Sequence, residues 1–351
     1  QFEVDYPNAK TVLLEQNYRS TQNILSAANA VISQNESRKE KNLWSDSGAG
    51  APLVGYVAES EYDEADFIKN EIRALQDKDT STPGDTAIFY RTNAQSRSVE
   101  EIFVRYGMPY RVVGGTRFYE RKEVRDLLAY LRVLVNPSDE VSLRRILNEP
   151  KRGIGDKAET EIDLFSKAQG ITFFAALRRA DEIAELATRS VSAVQRFVEL
   201  LDGLRLLVAA DEPPSTIVAN TIERTGIREQ YEKQHDPQAQ ARIENLDEFE
   251  SVAREFEVTA EDTFSLADFL EQVALVADSD SIPDEENGVV TLMTLHTAKG
   301  LEFPTVFITG MEDSNFPHEM SFGSPKEMEE ERRLAYVGIT RARERLYLTL
   351  A

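Results

Sequence analysis

Glu-Glu-Glu-Arg-Arg-Leu-Ala-Tyr-Val-Gly-Ile-Thr-Arg-Ala-Arg, residues 329–343, is the stretch that decides the fold. It begins as an acidic run of good helix formers and ends in a basic turn before an apolar strand pattern at residues 346–350. A helix that leads through a short turn into a strand is the building unit of an α/β sheet. The turn would carry arginines, whose guanidinium groups bind phosphate oxygens in pairs and stay charged at any working pH.

A second arginine lies near the start of the chain, in Gln-Asn-Tyr-Arg-Ser at residues 16–20, after a short predicted strand at residues 11–14. Arg19 and Arg341 therefore both sit at predicted junctions between strands and helices, and the aromatic Tyr18 precedes the first of them. One interpretation is a pair of arginines that reach the γ-phosphate of a nucleotide and stabilise charge in the transition state. The alternative is surface ion pairing with the many nearby glutamates.

Composition limits the class of protein. A chain of 351 residues suggests roughly two domains, and no apolar run approaches the roughly 18 residues that a membrane helix needs. No signal peptide pattern opens the chain. The absence of cysteine excludes disulfides and thiolate metal sites, and the three histidines lack the spacing of metal ligands. We therefore expect a cytoplasmic protein without a structural metal.

The charge of the chain is uneven. Its 62 acidic and 40 basic residues give a net charge of −22, which taken alone argues against a nucleic-acid partner. Acidic residues concentrate between residues 181 and 286, however, while eight arginines and lysines lie between Arg91 and Arg125. A local basic surface is compatible with this distribution, so the net charge excludes little.

Strand and helix patterns alternate in the first third of the chain. Predicted strands cover residues 53–58, 86–90 and 110–113. One predicted helix begins after Ser20, which would cap it, and a second covers residues 61–76. This alternation predicts a parallel sheet flanked by helices.

After Gly114-Gly115 the pattern is helical from residue 121 to about 277. An acidic linker at 278–288 then precedes strands at 289–295, 305–309 and 346–350. An α/β domain interrupted by an all-helical insertion explains this order. Three consecutive domains are the alternative, although the last piece is short for an independent sheet.

Three polar turns are candidates for binding phosphate or a nucleic-acid backbone. Thr-Leu-His-Thr-Ala-Lys-Gly-Leu-Glu-Phe at residues 294–303 follows a predicted strand, and residues 90–97 form a basic turn after another. Pro-Lys-Arg-Gly-Ile-Gly at residues 150–155 precedes a predicted helix, whose first amides would face an anion. The alternatives are an ordinary solvated loop for residues 90–97, a plain helix–helix turn for residues 150–155, and a structural role for His296. A Walker A sequence occurs nowhere in the chain.

Taken together and in order, these motifs resemble the superfamily 1 DNA helicases of the UvrD/PcrA/Rep type. The resemblance covers essentially the whole chain and rests on residues 16–20, 90–93, 113–115, 118–121, 150–155, 294–303 and 336–343. It implies a RecA-like parallel-sheet motor domain, the second of two in the family, interrupted by an all-α domain. The implied boundaries are 1–117 and 285–351 for the motor domain and 118–284 for the insertion.

The resemblance also implies roles for individual residues. Arg19 and Arg341 match the arginines that contact the γ-phosphate, Tyr18 the aromatic residue that stacks on adenine, and Glu302 the acidic residue near the ribose. The implied DNA contacts are Arg91, Thr92 and Asn93, Thr294 and His296 near single-stranded DNA, and Lys151, Gly153 and Gly155 at duplex phosphates. No metal ligand is implied in this chain.

The family's first motor domain has no counterpart in the sequence, so the chain looks like a piece of a longer protein. We expect that parent to be an ATP-dependent 3′–5′ DNA helicase in repair or replication, with ATP and Mg²⁺ bound between two motor domains, and we expect this piece to be inactive alone. The expected partners are single-stranded DNA, junction DNA, the first motor domain and repair proteins. The alternatives are a non-catalytic module that binds duplex DNA or a partner protein, and part of a helicase–nuclease.

Overall fold

The computed structural model describes residues 12–36, 41–234, 236–259, 265–277 and 288–351. The chain divides into two compact units, Gln1–Thr116 with Asp280–Ala351, and Arg117–Ser279. The first unit contains a six-stranded parallel sheet with helices, and the described residues of the second are helical or irregular. The predicted fold class, an α/β RecA-like sheet domain interrupted by an all-α insertion, is confirmed.

The elements follow one another in three segments. The first segment contains α1 (Gln22–Ile32), β1 (Val54–Val57), α2 (Glu61–Asp77), β2 (Thr86–Tyr90), α3 (Ser96–Arg105) and β3 (Tyr110–Val113). The helical segment contains α4 (Lys122–Val135), α5 (Glu140–Ile146), α6 (Asp156–Gln169), α7 (Phe173–Arg178), α8 (Thr188–Ala209), α9 (Pro214–Thr225), α10 (Ile227–Glu232), α11 (Pro237–Thr259) and α12 (Leu266–Ala277). The last segment contains β4 (Val290–Thr294), β5 (Phe303–Ile308), α13 (Pro325–Ile339) and β6 (Ala342–Leu350).

The sheet has the strand order β1-β6-β5-β2-β4-β3, and every neighbouring pair is parallel. All the strands therefore end at one edge of the sheet, the carboxyl edge, and begin at the opposite, amino edge. The register pairs Tyr90 with Thr294 and Val113 with Met293. The turns after β2, β3 and β4 consequently leave the carboxyl edge side by side. Arg341 and Glu302 directly precede β6 and β5, so they lie at the amino edge.

Both faces of this sheet are buried, because successive residues of its central strand point to opposite sides. Ile88 and Tyr90 pack with α2 and α3 on one face, and Ala87 and Phe89 pack with α1 and α13 on the other. Buried apolar residues fill both layers, which is why β2 reads as a continuous apolar run. Helix α13 connects the end of β5 to the start of β6 and therefore runs back across the sheet from the carboxyl edge to the amino edge.

The helical unit has its own hydrophobic core. Helix α4 contributes the heptad-like row Leu127, Leu131 and Leu134, all buried, and packs against α5, α8, α9, α11 and α12. Aromatic residues close the core, since Phe249 of α11 and Phe269 of α12 meet edge to face at 5.7 Å between ring centroids. The buried apolar residues of this unit form one contiguous cluster, as expected for a domain with its own core.

Two local predictions differ from the structure. Residues 12–14 of the strand predicted at 11–14 form no strand, and Val12 and Leu14 are 68% and 77% exposed, while Thr11 lies outside the described residues. Ser20 does not cap α1, because its hydroxyl donates to the carbonyl of Ala342 at 2.6 Å and Thr21 occupies the N-cap position instead. The predicted linker at 278–288 falls, apart from Gly288, outside the described residues.

Candidate functional site

Arg19 is held at the amino edge of the sheet by its backbone and its side chain. The side chain of Asn17 accepts hydrogen bonds from the amides of Arg19 at 2.8 Å and Ser20 at 2.9 Å, which fixes a tight turn before α1. The guanidinium of Arg19 donates from Nε to Glu302 Oε2 at 2.5 Å and from Nη1 to the Thr340 carbonyl at 3.2 Å. The N-terminal turn thereby reaches the residues that precede β5 and β6.

Arg341 lies in the same place, in the turn between α13 and β6. Its Nε donates to the Val337 carbonyl at 3.1 Å, and its Nη1 donates to the Leu301 carbonyl at 3.2 Å. The side chain is therefore anchored to the last turn of α13 on one side and to the residue before Glu302 on the other. Arg19 and Arg341, separated by more than 300 residues in sequence, converge at the amino edge.

The electrostatics of this cluster favour an anion. Partial burial and then the positive charge of Arg19 lower the pKa of Arg341, while Glu302 acts in the opposite direction. The hydrogen bond from Arg19 lowers the pKa of Glu302, with Arg343 and Arg341 adding to the effect. Arg19 contacts Glu302 directly and Arg341 contacts the carbonyl of the preceding residue, Leu301, so an additional anion would relieve the repulsion between these guanidinium groups. A phosphate group has the charge and the acceptor oxygens for this position.

Tyr18 presents an almost free aromatic ring beside this cluster. Its side chain is 83% exposed, and its hydroxyl donates to Gln16 Oε1 at 2.9 Å. An exposed ring on a fixed turn is a surface on which a planar base can stack. The structure therefore brings together the four residues predicted to contact a nucleotide, and their roles in catalysis and binding stay a prediction.

A second group of predicted residues meets at the carboxyl edge of the sheet. The side-chain carbonyl of Gln95 accepts hydrogen bonds from the amides of Arg91 at 3.0 Å and Thr92 at 2.9 Å, which shapes the turn after β2. After β4, the hydroxyls of Thr294 and Thr297 lie 2.9 Å apart. Both turns also approach the Gly114-Gly115 turn after β3, because Thr297 lies against Gly114 and Asn93 against Gly115.

The guanidinium of Arg91 is paired with the carboxylate of Glu331, a residue that the sequence analysis did not identify. Its Nε lies 3.2 Å and 3.1 Å from the two carboxylate oxygens of Glu331 on α13, and its Nη2 donates at 2.9 Å. Glu331 is only 6% exposed. Partial loss of water and then the charge of Arg91 lower the pKa of His296, with Glu331 and Glu330 opposing, which favours the neutral imidazole.

The predicted basic surface between Arg91 and Arg125 is only partly present. Arg97 is fully buried, where it pairs with Glu101 at 3.4 Å and Glu61 at 3.5 Å. Arg121 is 7% exposed and donates to Asn245 at 2.7 Å. These two arginines stabilise the interiors of their units, because a buried charge must be paired or hydrogen-bonded. Counting basic residues along the chain overstated the charge that faces solvent.

The helical unit carries the third predicted group in the turn before α6. Asn148 Oδ1 accepts hydrogen bonds from the amides of Arg152, Gly153 and Ile154 at 2.8, 3.2 and 3.3 Å. These three amides are therefore used within the turn that precedes α6, and contact of Lys151, Gly153 and Gly155 with a duplex phosphate stays a prediction. Lys151 and Gly155 are exposed, and Gly155 caps α6 without a side-chain hydrogen bond.

Arg152 makes its contacts within the helical unit. Its guanidinium donates to the carbonyls of Pro150 at 2.8 Å and Thr225 at 3.2 Å, and it lies over the rings of Tyr130 and Phe197. Lys151 is therefore the basic side chain that this turn offers to solvent. Asn148 and Glu331 were both missed because a lone amide and one of three consecutive glutamates carry no distinguishing pattern.

The described part of the chain offers neither a helix suited to a membrane nor a cluster of side chains suited to a metal ion. It contains no helix that combines the length and the apolar character needed to cross a membrane. Within the same residues, no group of three or more histidine, aspartate or glutamate side chains is arranged to hold a metal ion.

Comparison with known proteins assigns the family. A family model described as UvrD-like helicase C-terminal domain matches residues 12–351. Proteins named ATP-dependent DNA helicase UvrD1 from Mycobacterium bovis and Mycobacterium tuberculosis are each 56% identical over 365 residues, covering 100% of this chain and 47% of their own length. A protein named ATP-dependent DNA helicase PcrA from Bacillus subtilis is 45% identical over 357 residues, covering 100% of this chain and 48% of its own. The chain thus spans about half the length of these curated relatives. It belongs to the UvrD-like helicase C-terminal domain family.

Proposed function

We propose that this chain is the C-terminal half of an ATP-dependent DNA helicase that moves 3′ to 5′ along single-stranded DNA and serves repair or replication. In this proposal residues 1–117 and 285–351 form the second motor domain and residues 118–284 the inserted domain. A first motor domain would supply the Walker A lysine and the Mg²⁺ ligands, since the chain contains no Walker A sequence. The chain by itself would then hydrolyse no ATP.

The observation that carries this proposal is the convergence of Arg19 and Arg341 around Glu302 at the amino edge. ATP, when bound, would supply the phosphoryl group that is transferred to water. Arg19 and Arg341 would donate hydrogen bonds to the γ-phosphate and stabilise the charge that develops on its oxygens. Tyr18 would stack on the adenine, and Glu302 would orient Arg19 and face the ribose.

The carboxyl edge of the sheet would contact single-stranded DNA. Thr92, Asn93 and Thr294 offer hydroxyl and amide groups, which bind backbone phosphates and sugars without reading the base sequence. The imidazole of His296 would donate or accept one hydrogen bond at the same surface. Arg91 would contribute its charge once a phosphate replaces Glu331. Lys151, Gly153 and Gly155 would contact duplex phosphates from the helical unit.

Strand displacement by the full-length protein tests the proposed function. Duplexes with a 3′ single-stranded tail, a 5′ tail or blunt ends are incubated with the protein and ATP, and the released strand is measured. We expect unwinding of the 3′-tailed duplex and little unwinding of the 5′-tailed one. Unwinding that prefers the 5′ tail contradicts the proposed polarity, and ATP-independent binding without unwinding favours a non-catalytic module.

Replacing Tyr18 by alanine in the full-length protein should raise the KM for ATP. Stacking between a base and an aromatic ring contributes about 1–3 kcal/mol, which corresponds to an increase in KM of about 5- to 150-fold. The ring is 83% exposed, so its removal costs little folding stability. Steady-state ATP hydrolysis at saturating DNA measures the change. Tyr18→Phe keeps the ring and is expected to keep the KM, whereas an unchanged KM in Tyr18→Ala would show that the ring does not contact the base.

Replacing Lys151 by glutamine should weaken binding to duplex-containing DNA and reduce its salt dependence. Loss of one phosphate contact lowers the slope of log K against log salt by about 0.9 for B-DNA. Fluorescence anisotropy with a labelled duplex across a salt series measures this slope. The control is Lys167→Gln at the other end of α6, where the lysine pairs with Asp163 at 2.6 Å. Equal slopes for both variants would remove Lys151 from the duplex contact.

A further inference from the structure

Glu331 connects three separate segments of the sheet unit from its position in α13. Its carboxylate accepts hydrogen bonds from Arg91 in the turn after β2 and from the backbone amide of His318 at 3.2 Å. The two side chains of the Arg91–Glu331 pair are only 20% and 8% exposed. This contact is therefore shielded from water and holds α13 to the carboxyl edge of the sheet more firmly than a surface ion pair would.

The same helix continues to Arg341 at the amino edge. Glu331 and Arg341 are ten positions apart, which along a helix corresponds to about 15 Å. The Arg341 side chain donates to the Val337 carbonyl, and its backbone amide donates to the Gly338 carbonyl at 3.0 Å. Arg341 must consequently follow any displacement of the last turn of α13.

A second contact ties this helix to the turn that contains His296. A Cβ atom at Gly338 would lie 2.4 Å from Leu295 Cδ2, so glycine lets α13 lie directly against Leu295, the residue between Thr294 and His296, without displacing its side chain. The amide of Leu295 in turn donates to the carbonyl of Tyr90 at 2.9 Å, directly before Arg91. Helix α13 thus contacts the turn after β2 and the turn after β4, and Arg341 follows its C-terminal end.

We propose that Glu331 is a positioning residue that couples occupancy of the Arg91 turn by a nucleic-acid phosphate to the placement of Arg341. This inference rests on the proposed function. A guanidinium group binds a carboxylate or a phosphate in the same forked geometry, so a backbone phosphate at Arg91 competes with Glu331. Displacement of Glu331 releases α13 from the turn. The two states differ in the partner of Arg91, which is the differential contact that coupling between two sites requires.

The test uses Glu331→Gln in the full-length protein, measured against the wild type. The glutamine keeps an acceptor for the His318 amide and removes the charge that holds Arg91. We expect the ratio of ATP turnover with and without single-stranded DNA to fall about 5-fold or more, which is the range of typical couplings between sites. The affinity for single-stranded DNA should rise at the same time, because Arg91 no longer has to leave a carboxylate. If Glu331 had only a structural role, the substitution would lower both the stimulation of turnover by single-stranded DNA and the affinity for single-stranded DNA.

Two control variants make the result specific. Glu330→Gln removes the same charge from the neighbouring position, where the side chain is 72% exposed and pairs with Arg333, and should leave both readouts within about 2-fold of the wild type. In an Arg91→Gln background, adding Glu331→Gln should change the ratio no further, since the pair is already broken. If Glu331→Gln does not fold, Glu331→Asp keeps the carboxylate, is too short to hold Arg91, and should shift both readouts in the same direction.

The outcomes separate the inference from the proposed function. Wild-type turnover that single-stranded DNA does not stimulate overturns the proposed function and the coupling with it. Wild-type turnover that is stimulated, together with an unchanged ratio and affinity in Glu331→Gln or Glu331→Asp, overturns the coupling alone. A parallel loss of DNA affinity and stimulation in Glu331→Gln also overturns it, because that result describes a damaged fold.

Discussion

Replacing Arg341 by alanine in the full-length protein is expected to lower ATP turnover by about 10³- to 10⁵-fold, the effect of removing an arginine finger from a phosphoryl-transfer site. Arg341 is held at the amino edge by the carbonyls of Val337 and Leu301, so its guanidinium is oriented before any nucleotide binds. Such pre-orientation is what makes a charged donor effective in the transition state. Steady-state hydrolysis at saturating single-stranded DNA measures the loss.

The affinity for single-stranded DNA should change little in Arg341→Ala, because the proposed DNA contacts lie at the opposite edge of the sheet. The matched control is Arg345→Ala on β6, where the arginine pairs with Glu344 and donates to the Thr80 carbonyl. This control removes the same side chain four residues later and should keep turnover within about 2-fold. Melting curves of both variants separate lost chemistry from lost stability. Unchanged turnover in Arg341→Ala would remove this residue from the site.

Two strands were predictable because a short run of residues that favour strands lies between turn residues. Strands β2 and β3 begin and end at the predicted residues, although β2 is buried along its whole length and β3 is buried only at Tyr110. The same criterion failed at residues 12–14, where three apolar side chains lie exposed outside any strand. Apolar character predicts a strand only if a neighbouring strand can pair with it, and pairing partners are not visible in a local pattern.

The amino-edge site was predictable because its arginines flank recognisable elements, and the carboxyl-edge network was not. Arg91 and Glu331 are 240 positions apart, and three consecutive glutamates precede Arg332. Helical periodicity shows which face of α13 packs on the sheet, yet it does not identify the charged residue that pairs with Glu331 there. Asn148 illustrates the same limit in the helical unit, since one side-chain oxygen organises three amides without any motif.

The turns at the carboxyl edge contain both residues that could contact a ligand and residues that support them. Gln95 shapes the backbone of the Arg91 turn, Glu331 holds its guanidinium, and neither has to touch a ligand. Residues that contact a ligand and residues that only support them should therefore respond differently to substitution. Removing a ligand contact changes affinity, whereas removing a support changes how binding at one edge of the sheet affects the other.

Arg19→Ala is expected to lower ATP turnover by about 10³-fold or more, and its effect should not multiply with that of Arg341→Ala. Both guanidinium groups act on the same developing charge, so the double variant should lose little beyond the larger single effect. Removal of Arg19 also leaves Glu302 without its hydrogen-bonded partner at 2.5 Å. The freed carboxylate then attracts Arg341, whose pKa the charge of Glu302 already raises.

The conservative variant Arg19→Lys distinguishes charge from geometry. Lysine keeps the positive charge, but it lacks the fork that donates from Nε to Glu302 and from Nη1 to the Thr340 carbonyl. We expect its turnover to lie between those of the wild type and Arg19→Ala. Adding Glu302→Gln to Arg19→Ala should recover part of the lost turnover, because Arg341 no longer faces an unpaired carboxylate. Simple multiplication of the single effects of Arg19→Ala and Arg341→Ala, measured in the same hydrolysis assay, would show that the two arginines act at separate sites.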